Sequence, residues 1–228
     1  MASDLAEAKP YKGLGMKGPI ARWYAKLTAK GMQEFTALAQ RVAAELPTGS
    51  SVLEVAPGPG YFAIELAKVG DFRITGLDIS ETFVDIARAN ASKAKVQVDF
   101  KRGDASRMPF DDESFDFILC RAAFKNFTGP VRALEEMYRV LKPNGKALII
   151  DLRRDASKDS ISQAVDGMHV GRMNTAIVKL TFRYMLLKRA YTKTDFENLL
   201  AQATIRDYAI EQNLMGLEVR FTKPPAPR

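Results

Sequence analysis

One unit of sequence near the start of the chain restricts the fold more than any other. An apolar run at 52–55 contains Glu54 and leads into a loop of glycine and proline, 56–60, after which a helical pattern begins. The next apolar run ends in another acid, Asp78. A strand, a glycine loop and a helix, followed by a second strand that ends in a carboxylate, build a pocket for an adenosine-type cofactor in parallel α/β folds.

The composition allows one globular domain of ordinary size and argues against several other classes. The 228 residues are 46% hydrophobic, with one cysteine, Cys120, and one histidine, His169. Intrachain disulfides are therefore excluded, and no metal site is expected. The first residues lack the pattern of a signal peptide, and no apolar run reaches the roughly 18 residues of a membrane span. We therefore expect a cytoplasmic location.

The net charge of +7 is concentrated in one segment. No acidic residue lies between Asp166 and Asp195. The basic residues in this gap are Arg172, Lys179, Arg183, Lys188, Arg189 and Lys193. Because a nucleic-acid-binding surface usually spreads its cations over a larger face, no nucleic-acid partner is expected. Residues 175–189, apolar and basic together, fit a cap helix over an apolar substrate, a homodimer interface, or a surface resting on anionic lipid.

Strand and helix patterns alternate along most of the chain. A helical pattern at 20–46, with a break at Gly31, comes first. The expected strands are 52–55, 72–78, 96–100, 115–120, 146–151, 204–211 and 215–221. The expected helices that follow the first strand are 60–69, 81–94 with Ser80 as N-cap, 130–141, 159–190 and 194–201. A turn is expected at 142–145 and a tight turn at 213–216.

This order predicts an α/β fold. Alternation at this interval favours right-handed βαβ units, and hence a Rossmann-like three-layer sandwich whose mostly parallel seven-stranded sheet ends in an antiparallel hairpin, with a helical cap. We divide the chain into an N-terminal helical lid or substrate segment (1–49), a cofactor-binding core (50–152), a helical cap insertion (153–192), a C-terminal helix with antiparallel strands that complete the sheet (193–222), and a disordered tail (223–228).

The residues around the loop favour a cationic adenosine cofactor. The loop glycines fit the dinucleotide pattern GxGxxG/A, which alone does not separate NAD from other adenosine cofactors. Glu54 ends its strand where a pyrophosphate would lie, and a carboxylate there repels phosphate but suits an ammonium or sulfonium group. Pro57 and Pro59 remove two N–H donors from the loop. Asp104, after the third strand, is placed to accept a hydrogen bond from an adenine amino group.

At this point the chain resembles the class I S-adenosylmethionine-dependent methyltransferases. Within them it is similar to the small-molecule enzymes of the ubiquinone/menaquinone type. The motifs that carry the resemblance are 52–60, 76–80, 103–105, 108–110, 114–116 and 139–145. The resemblance covers about residues 50–152, with weaker agreement at 191–222.

The resemblance implies roles for particular residues. Glu54 and the loop residues Ala56, Gly58 and Gly60 would hold the methionine end of S-adenosyl-L-methionine. The adenosine end would be held by Asp78 on the ribose, Ile79 against adenine, Asp104 and Ala105 at the adenine edge, while Arg121 would lie beside the methionine moiety. The one departure is Ala56, where the family loop usually has its first glycine.

The acceptor side is less defined by the sequence. Candidate contacts are Tyr24, Lys125, Asn126, Arg153 and His169, with Tyr11, Trp23 and Tyr24 forming either a lid or ordinary helix packing. Arg121, Lys125, Arg153 and Arg154 are expected to form a cationic rim for an acidic or phenolate acceptor. The acceptor itself is expected to be an apolar, acidic or phenolic small molecule. The expected function is methyl transfer from S-adenosyl-L-methionine to a small molecule. The alternatives are an NAD(P)-dependent reductase and a non-catalytic protein that binds the same cofactor.

Overall fold

The computed structural model describes residues 11–12, 18–157, 159–160, 162–163 and 187–225. In these ranges the strands are β1 (Ser51–Val55), β2 (Arg73–Asp78), β3 (Asp99–Arg102), β4 (Phe115–Arg121), β5 (Leu141–Leu152), β6 (Tyr208–Gln212) and β7 (Gly216–Thr222). The helices are α1 (Gly18–Thr28), α2 (Met32–Glu45), α3 (Tyr61–Val69), α4 (Glu81–Ala94), α5 (Pro130–Val140) and α6 (Lys193–Gln202). Short 3₁₀ turns cover Ala29–Gly31, Phe124–Asn126 and Leu187–Arg189.

The strands of the described residues form one mixed sheet in the order β3-β2-β1-β4-β5-β7-β6. Strands β1 to β5 pair in parallel, and β7 pairs antiparallel with both β5 and β6. The predicted seven-stranded sheet with an antiparallel end is confirmed. The strand order reverses between β1 and β4, which leaves a crevice above their carboxyl ends, the usual ligand position in open α/β sheets.

Helices cover both faces of the sheet, as the three-layer prediction requires. On one face, α2, α3 and α4 bury side chains such as Val42 and Phe62 against Val52 and Phe117. On the other face, α5 and α6 bury their apolar sides against alternate residues of the same strands. Successive side chains of a strand point to opposite faces, so the central strands are apolar along almost their whole length.

Two strands begin later than the sequence predicts because helix termination uses the intervening residues. Lys95 ends α4 in the left-handed conformation (φ 56°), and the N–H of Val96 returns to the carbonyl of Ala91, so β3 begins at Asp99 rather than at 96. After α6, Thr204 has φ 57° and the N–H of Ile205 bonds to Leu200. The sixth strand therefore begins at Tyr208 rather than at 204.

The segment 142–145, predicted as a turn, lies within β5 as an irregularity. Leu141 pairs with Phe115 and Lys146 with Phe117, so the pairing shifts register across these residues, and Asn144 has φ 63°. The end of the chain meets this irregularity, since the N–H of Asn144 donates to the carbonyl of Lys223 at 2.8 Å. Lys223 is therefore bonded to the sheet, whereas the sequence placed it in a disordered tail.

The amino-terminal helical pattern is divided as predicted at Gly31, where a 3₁₀ turn separates α1 from α2. The helix expected at 159–190, which was to form the cap, lies for the most part outside the described residues. Among the described residues, no helix is long and apolar enough to cross a membrane.

Candidate active site

The loop between β1 and α3 turns sharply at three residues with positive φ. Ala56 (φ 57°) donates its N–H to Leu77 of β2 at 2.8 Å, and Gly58 (φ 55°) and Gly60 (φ 78°) follow. A Cβ on Gly60 would lie 2.7 Å from the ring of Phe100, so only glycine fits there. A Cβ on Gly58 would meet no atom within 4 Å, so space for a ligand is open beside the loop.

Ala56 adopts the left-handed conformation, which costs an L-residue about 1–2 kcal/mol and glycine much less. We expect Ala56→Gly to raise the free energy of unfolding by about 0.5–1 kcal/mol, the gain being reduced by the larger entropy of glycine in the unfolded chain. Urea denaturation measures this change in the free energy of unfolding. Ala67→Gly, within α3, is the matched control and is expected to lose about 1 kcal/mol. If Ala56→Gly lowers the free energy of unfolding as much as Ala67→Gly does, the backbone at Ala56 is not strained.

Glu54 is a carboxylate enclosed by the fold. It is 3% exposed, and its Oε2 accepts a hydrogen bond of 3.1 Å from the N–H of Ala63 in the first turn of α3. Burial raises the pKa of Glu54 to about 8, against the opposing effects of the Ala63 N–H and the Arg121 charge. A positively charged ligand group placed beside it would favour the ionised form. The site therefore suits a cation better than a phosphate.

Asp78 connects the ends of β1 and β2. Its Oδ2 accepts the N–H of Gly58 at 3.0 Å and its Oδ1 accepts the N–H of Ser80 at 2.8 Å. Burial raises the pKa of Asp78 to about 6, with these two N–H groups opposing the shift. Ser80 caps α4 as predicted, since its hydroxyl accepts the N–H of Phe83. The half-buried Ile79 lies between these two residues of the β2–α4 connection.

Asp104 and Ala105 lie beyond β3, on the same side of the crevice as Asp78. Asp104 is half-buried, and its Oδ1 accepts the N–H of Ser106 at 2.8 Å, which fixes the turn. Ala105 packs against the core. Acids therefore end β1 at Glu54 and β2 at Asp78, and a third follows β3, in the order that the sequence predicts.

Arg121 ends β4 and faces α2. Its Nη2 donates to Glu34 at 2.8 Å, and its guanidinium lies 4.4 Å from the ring centroid of Phe35. A groove of about 280 Å³ beside it is lined mainly by charged residues, including Arg41 paired with Glu218. This groove does not include the glycine loop. The charge of Arg121 nevertheless acts on Glu54, which is consistent with a position near the methionine end.

The expected cationic rim needs correction at Lys125. Its side chain is 4% exposed, and its Nζ donates to Asp151 at 2.7 Å and to the carbonyl of Ala122 at 2.6 Å. Asp151 also accepts the backbone N–H groups of Lys125 and Leu152. The 3₁₀ turn after β4 directs Lys125 back to the end of β5, so its charge is neutralised within the fold and does not face solvent.

The other acceptor candidates have different surroundings. Arg153 pairs with Asp155 at 2.8 Å, and Arg154 pairs with Asp195 at 2.7 Å, so these two charges are also partly neutralised. Asn126 is buried, and its carbonyl accepts the N–H of Lys12 at 2.7 Å. His169 lies outside the described residues. The roles of these residues toward an acceptor stay predictions.

Asp151 is the residue that the sequence reasoning missed. The signal was present, because Asp151 follows the apolar run of β5 just as Glu54 and Asp78 end theirs. It is 5% exposed and completes a row of carboxylates at the carboxyl edge of the sheet. In the described part of the chain, no three His, Cys, Asp or Glu side chains converge as metal ligands would.

Comparison with known proteins agrees with this arrangement. Residues 53–149 match a family model described as a methyltransferase domain. A demethylmenaquinone methyltransferase from Deinococcus radiodurans is 39% identical over 107 residues, which is 46% of this chain and 44% of that protein. One from Chlorobaculum tepidum is 38% identical over 100 residues, 44% of this chain and 40% of that protein. The match thus spans less than half the length of these curated relatives.

Solved structures share the fold over more of the chain. A Methanococcus maripaludis protein has a TM-score of 0.73 at 23% identity, covering 94% of this chain and 99% of that one. A SAM-dependent methyltransferase from Aquifex aeolicus has a TM-score of 0.62 at 21% identity, with 84% and 97% covered. These likenesses confirm the Rossmann-like fold, and the matched methyltransferase domain confirms the resemblance stated from the motifs.

Proposed function

We propose that this protein transfers a methyl group from S-adenosyl-L-methionine to a small-molecule acceptor, and that the acceptor is a phenol or hydroquinone. The observation that carries the proposal is Glu54, a buried carboxylate beside an open glycine loop. Such a group attracts the ammonium and sulfonium charges of the methionine end. The curated relatives, named as demethylmenaquinone methyltransferases, support an acceptor with a quinol-type ring.

The residues present fit the cofactor. Glu54 would pair with the ammonium, and the space beside Gly58 would admit the methionine chain. Asp78 retains acceptor capacity for the ribose hydroxyls beyond the two N–H groups that it already binds. Ile79 would pack on adenine, and Asp104 with Ala105 would contact its edge. Arg121 would lie beside the methionine moiety.

A nicotinamide dinucleotide fits the same residues less well. Its pyrophosphate would lie against the loop, where Pro57 and Pro59 offer no N–H donor and Glu54, once ionised, would add a negative charge. A ligand phosphate would therefore lose donors that such loops normally supply and would meet repulsion. These features disfavour the reductase alternative.

Methyl transfer from a sulfonium requires the protein mainly to align the two reactants, and it does not require a strong catalytic acid or base. When bound, the cofactor supplies a methyl carbon on a positively charged sulfur, and the C–S electron pair stays on sulfur as that bond breaks. The phenolic oxygen or a neighbouring ring carbon of the acceptor would form the new bond to the methyl carbon, and the one proton that this atom gives up would pass to water. Fixing the two reactants in line is worth about 7–11 kcal/mol in favourable cases. The α1 helix and the loops at the carboxyl edge would hold this geometry and exclude water.

Thermal unfolding with different ligands tests the cofactor. At about 100 times its Kd, S-adenosylhomocysteine should add about 2.7 kcal/mol of stability and raise the Tm by about 5–10 °C, because it binds only the folded state. NADH and NADPH should leave the Tm unchanged. Stabilisation by a dinucleotide alone would overturn the proposal in favour of a reductase.

A second measurement separates an enzyme from a non-catalytic binding protein. Mass spectrometry should detect methylated product when 1,4-naphthohydroquinone, the head group of a demethylmenaquinol without its tail, is incubated with protein and S-adenosyl-L-methionine. Cofactor binding without methylation of this acceptor or of simple phenols would contradict the transferase proposal. A cytoplasmic location, a homodimer and contact with a membrane surface stay predictions.

A further inference from the structure

We propose that Tyr11 and Tyr24 together hold an oxygen of the acceptor by donating hydrogen bonds to it above the carboxyl ends of β1 and β4. This assignment rests on the proposed function, since it names the residues that would recognise the phenol or hydroquinone. It goes beyond the cofactor residues because neither tyrosine belongs to the glycine loop or to the carboxylates that end the strands.

Tyr11 is fixed by contacts with the loop that follows β4. It forms an antiparallel bridge with Phe127, and the next residue, Lys12, donates its N–H to the carbonyl of Asn126 at 2.7 Å. The Nζ of Lys12 also donates to the hydroxyl of Tyr191. Phe127 packs at 5.4 Å from Phe124 within the aromatic cluster under this loop. The backbone of Tyr11 is therefore held beside the end of β4.

Tyr24 reaches the same crevice from the other side, on α1. Its ring lies 5.9 Å from that of Phe83 in the first turn of α4. The hydroxyl of Tyr61, the first residue of α3, donates to the carbonyl of Ala25 at 2.9 Å. The N–H of Gly18 donates to Thr82 at 3.3 Å. Since α3 and α4 both begin at the carboxyl edge of the sheet, these contacts place α1 over that edge.

The hydroxyls of these two tyrosines differ from those of Tyr61 and Tyr191. The latter two are hydrogen-bonded within the protein, whereas neither Tyr11 nor Tyr24 makes a hydroxyl hydrogen bond in the described ranges. Every fully buried polar side-chain atom of the described residues has a partner. The hydroxyls of Tyr11 and Tyr24 must therefore open onto accessible space, although both residues are half-buried.

The effects on the pKa values of the two rings agree with this placement. Burial raises the pKa of Tyr11 most, with smaller effects from Tyr24, from Arg189, and from Asp78 and Asp151 at the carboxyl ends of β2 and β5. Burial also raises the pKa of Tyr24 most, with smaller effects from Arg121 at the end of β4 and from Asp151. Strands β1 and β4 lie between β2 and β5. The bridge of Tyr11 to Phe127 and the contact of Tyr24 with Phe83 thus bring both phenols to the edge of the sheet where the strand order reverses.

The protonation state decides what these phenols can do. Burial raises the pKa of Tyr11 and of Tyr24 above the usual value of 10.0, so both stay neutral at physiological pH. A neutral phenol donates a hydrogen bond and is not a base. Two donors directed at one acceptor oxygen favour its anionic form, and the released proton passes to water. That anion makes the acceptor a better nucleophile, so that its oxygen or the neighbouring ring carbon forms the bond to the methyl carbon. Where the ring carbon reacts, its C–H proton moves to the oxygen as the ring regains aromaticity, so one proton in all is released to water.

Conservative variants test the assignment. Tyr11→Phe and Tyr24→Phe keep the rings and remove only the hydroxyls. We expect each to lower kcat/KM for 1,4-naphthohydroquinone by about 10- to 100-fold, the range for loss of a hydrogen bond to a charged group. The Kd of S-adenosylhomocysteine, measured by calorimetry, should change less than about 3-fold. Binding of the naphthohydroquinone to the S-adenosylhomocysteine complex, followed by the fluorescence of the sole tryptophan, Trp23, should weaken in parallel.

Two matched controls distinguish a chemical role from a structural one. Tyr208→Phe changes a phenol on the edge strand β6 and should leave every parameter unchanged. Tyr61→Phe removes one of the contacts that hold α1, while those with Phe83 and Thr82 remain, so it should lower stability and weaken acceptor binding much less than Tyr24→Phe does. If Tyr61→Phe reproduces the losses of Tyr24→Phe, or if both site variants match wild type, the assignment is wrong. Failure of wild type to bind S-adenosylhomocysteine or methylate the probe overturns the proposed function and this assignment with it.

Discussion

Replacing Glu54 with glutamine is expected to weaken S-adenosylhomocysteine binding by about 100-fold or more near pH 9, while making the free protein more stable. The carboxylate is 3% exposed and lies beside the space where the ligand ammonium would be bound. Glutamine keeps the shape and can still accept the N–H of Ala63, but it supplies no charge. Calorimetry gives the Kd, and urea denaturation gives the free energy of unfolding.

The pH dependence of both quantities follows from the pKa of Glu54, which burial raises to about 8. An ordinary glutamate in the unfolded chain titrates near 4.5, so between these values the folded state binds more protons than the unfolded state. The contribution of this group to stability is therefore highest below about pH 4.5, falls as the pH rises from 4.5 to 8, and stays constant above 8. Because glutamine does not ionise, the variant should not show this decrease, and its free energy of unfolding near pH 9 should exceed that of wild type by an amount on the order of 5 kcal/mol.

Cofactor affinity should change in the opposite direction. Since the ammonium binds the ionised carboxylate, wild-type affinity should rise about 10-fold per unit from pH 6 towards 8, and should fall again at the higher pH where the ligand ammonium loses its own proton. In Glu54→Gln this rise should disappear. Glu65→Gln is the matched control, because Glu65 is also buried and lies in α3 but bonds Thr36 and Lys68. Equal losses of affinity in the two variants, or no pH dependence in wild type, would contradict the role of Glu54.

Lys125→Met should destabilise the protein by about 3–5 kcal/mol, because it leaves Asp151 ionised and buried without its cation. The pair is 4% and 1% exposed at its two side chains, and the Lys125 ammonium also satisfies the carbonyl of Ala122. For a chain of this size the Tm should fall by about 6–20 °C. Differential scanning calorimetry measures the change.

The pair formed by Lys142 and Asp116 provides the comparison. Its atoms are as close, 2.8 Å, but both side chains are 33% exposed, so Lys142→Met should cost less than about 1 kcal/mol. Changing both members of the buried pair, Lys125→Met with Asp151→Asn, should recover part of the lost stability because no unpaired charge then remains. If Lys125→Met is no more harmful than Lys142→Met, the ammonium is solvated and the buried-pair interpretation fails.

The sequence predicts the central fold well because several local signals agree there. The apolar runs at β1, β2 and β4, the cap at Ser80 and the glycine loop each indicate the same βαβ order, and the structure confirms it. Carboxylates at strand ends could be assigned to one edge because parallel strands end on the same side. The starts of β3 and β6 were predicted three and four residues too early. The turns that precede these strands use Lys95 and Thr204 in the left-handed conformation, and neither residue is a glycine that would have indicated a turn in the sequence.

Tertiary partners account for the rest of what the sequence did not predict. Nothing near Lys125 indicates that its side chain turns back to Asp151, which is 26 residues away in the chain. The same holds for Tyr11, whose position depends on a bridge to Phe127. A pattern of charges along a chain shows which residues can face solvent, but the pairing of two charges depends on the folded backbone.

The two N–H groups bound by Asp78 have a consequence for how this site can change. One comes from the loop that would receive the methionine end, and the other from the connection that would receive adenosine. A single carboxylate thus sets the shape of both halves of the pocket. Under the proposed function, a change at Asp78 would therefore alter the methionine half and the adenosine half together. Redesign of the site for a different nucleotide would have to reshape both segments at once.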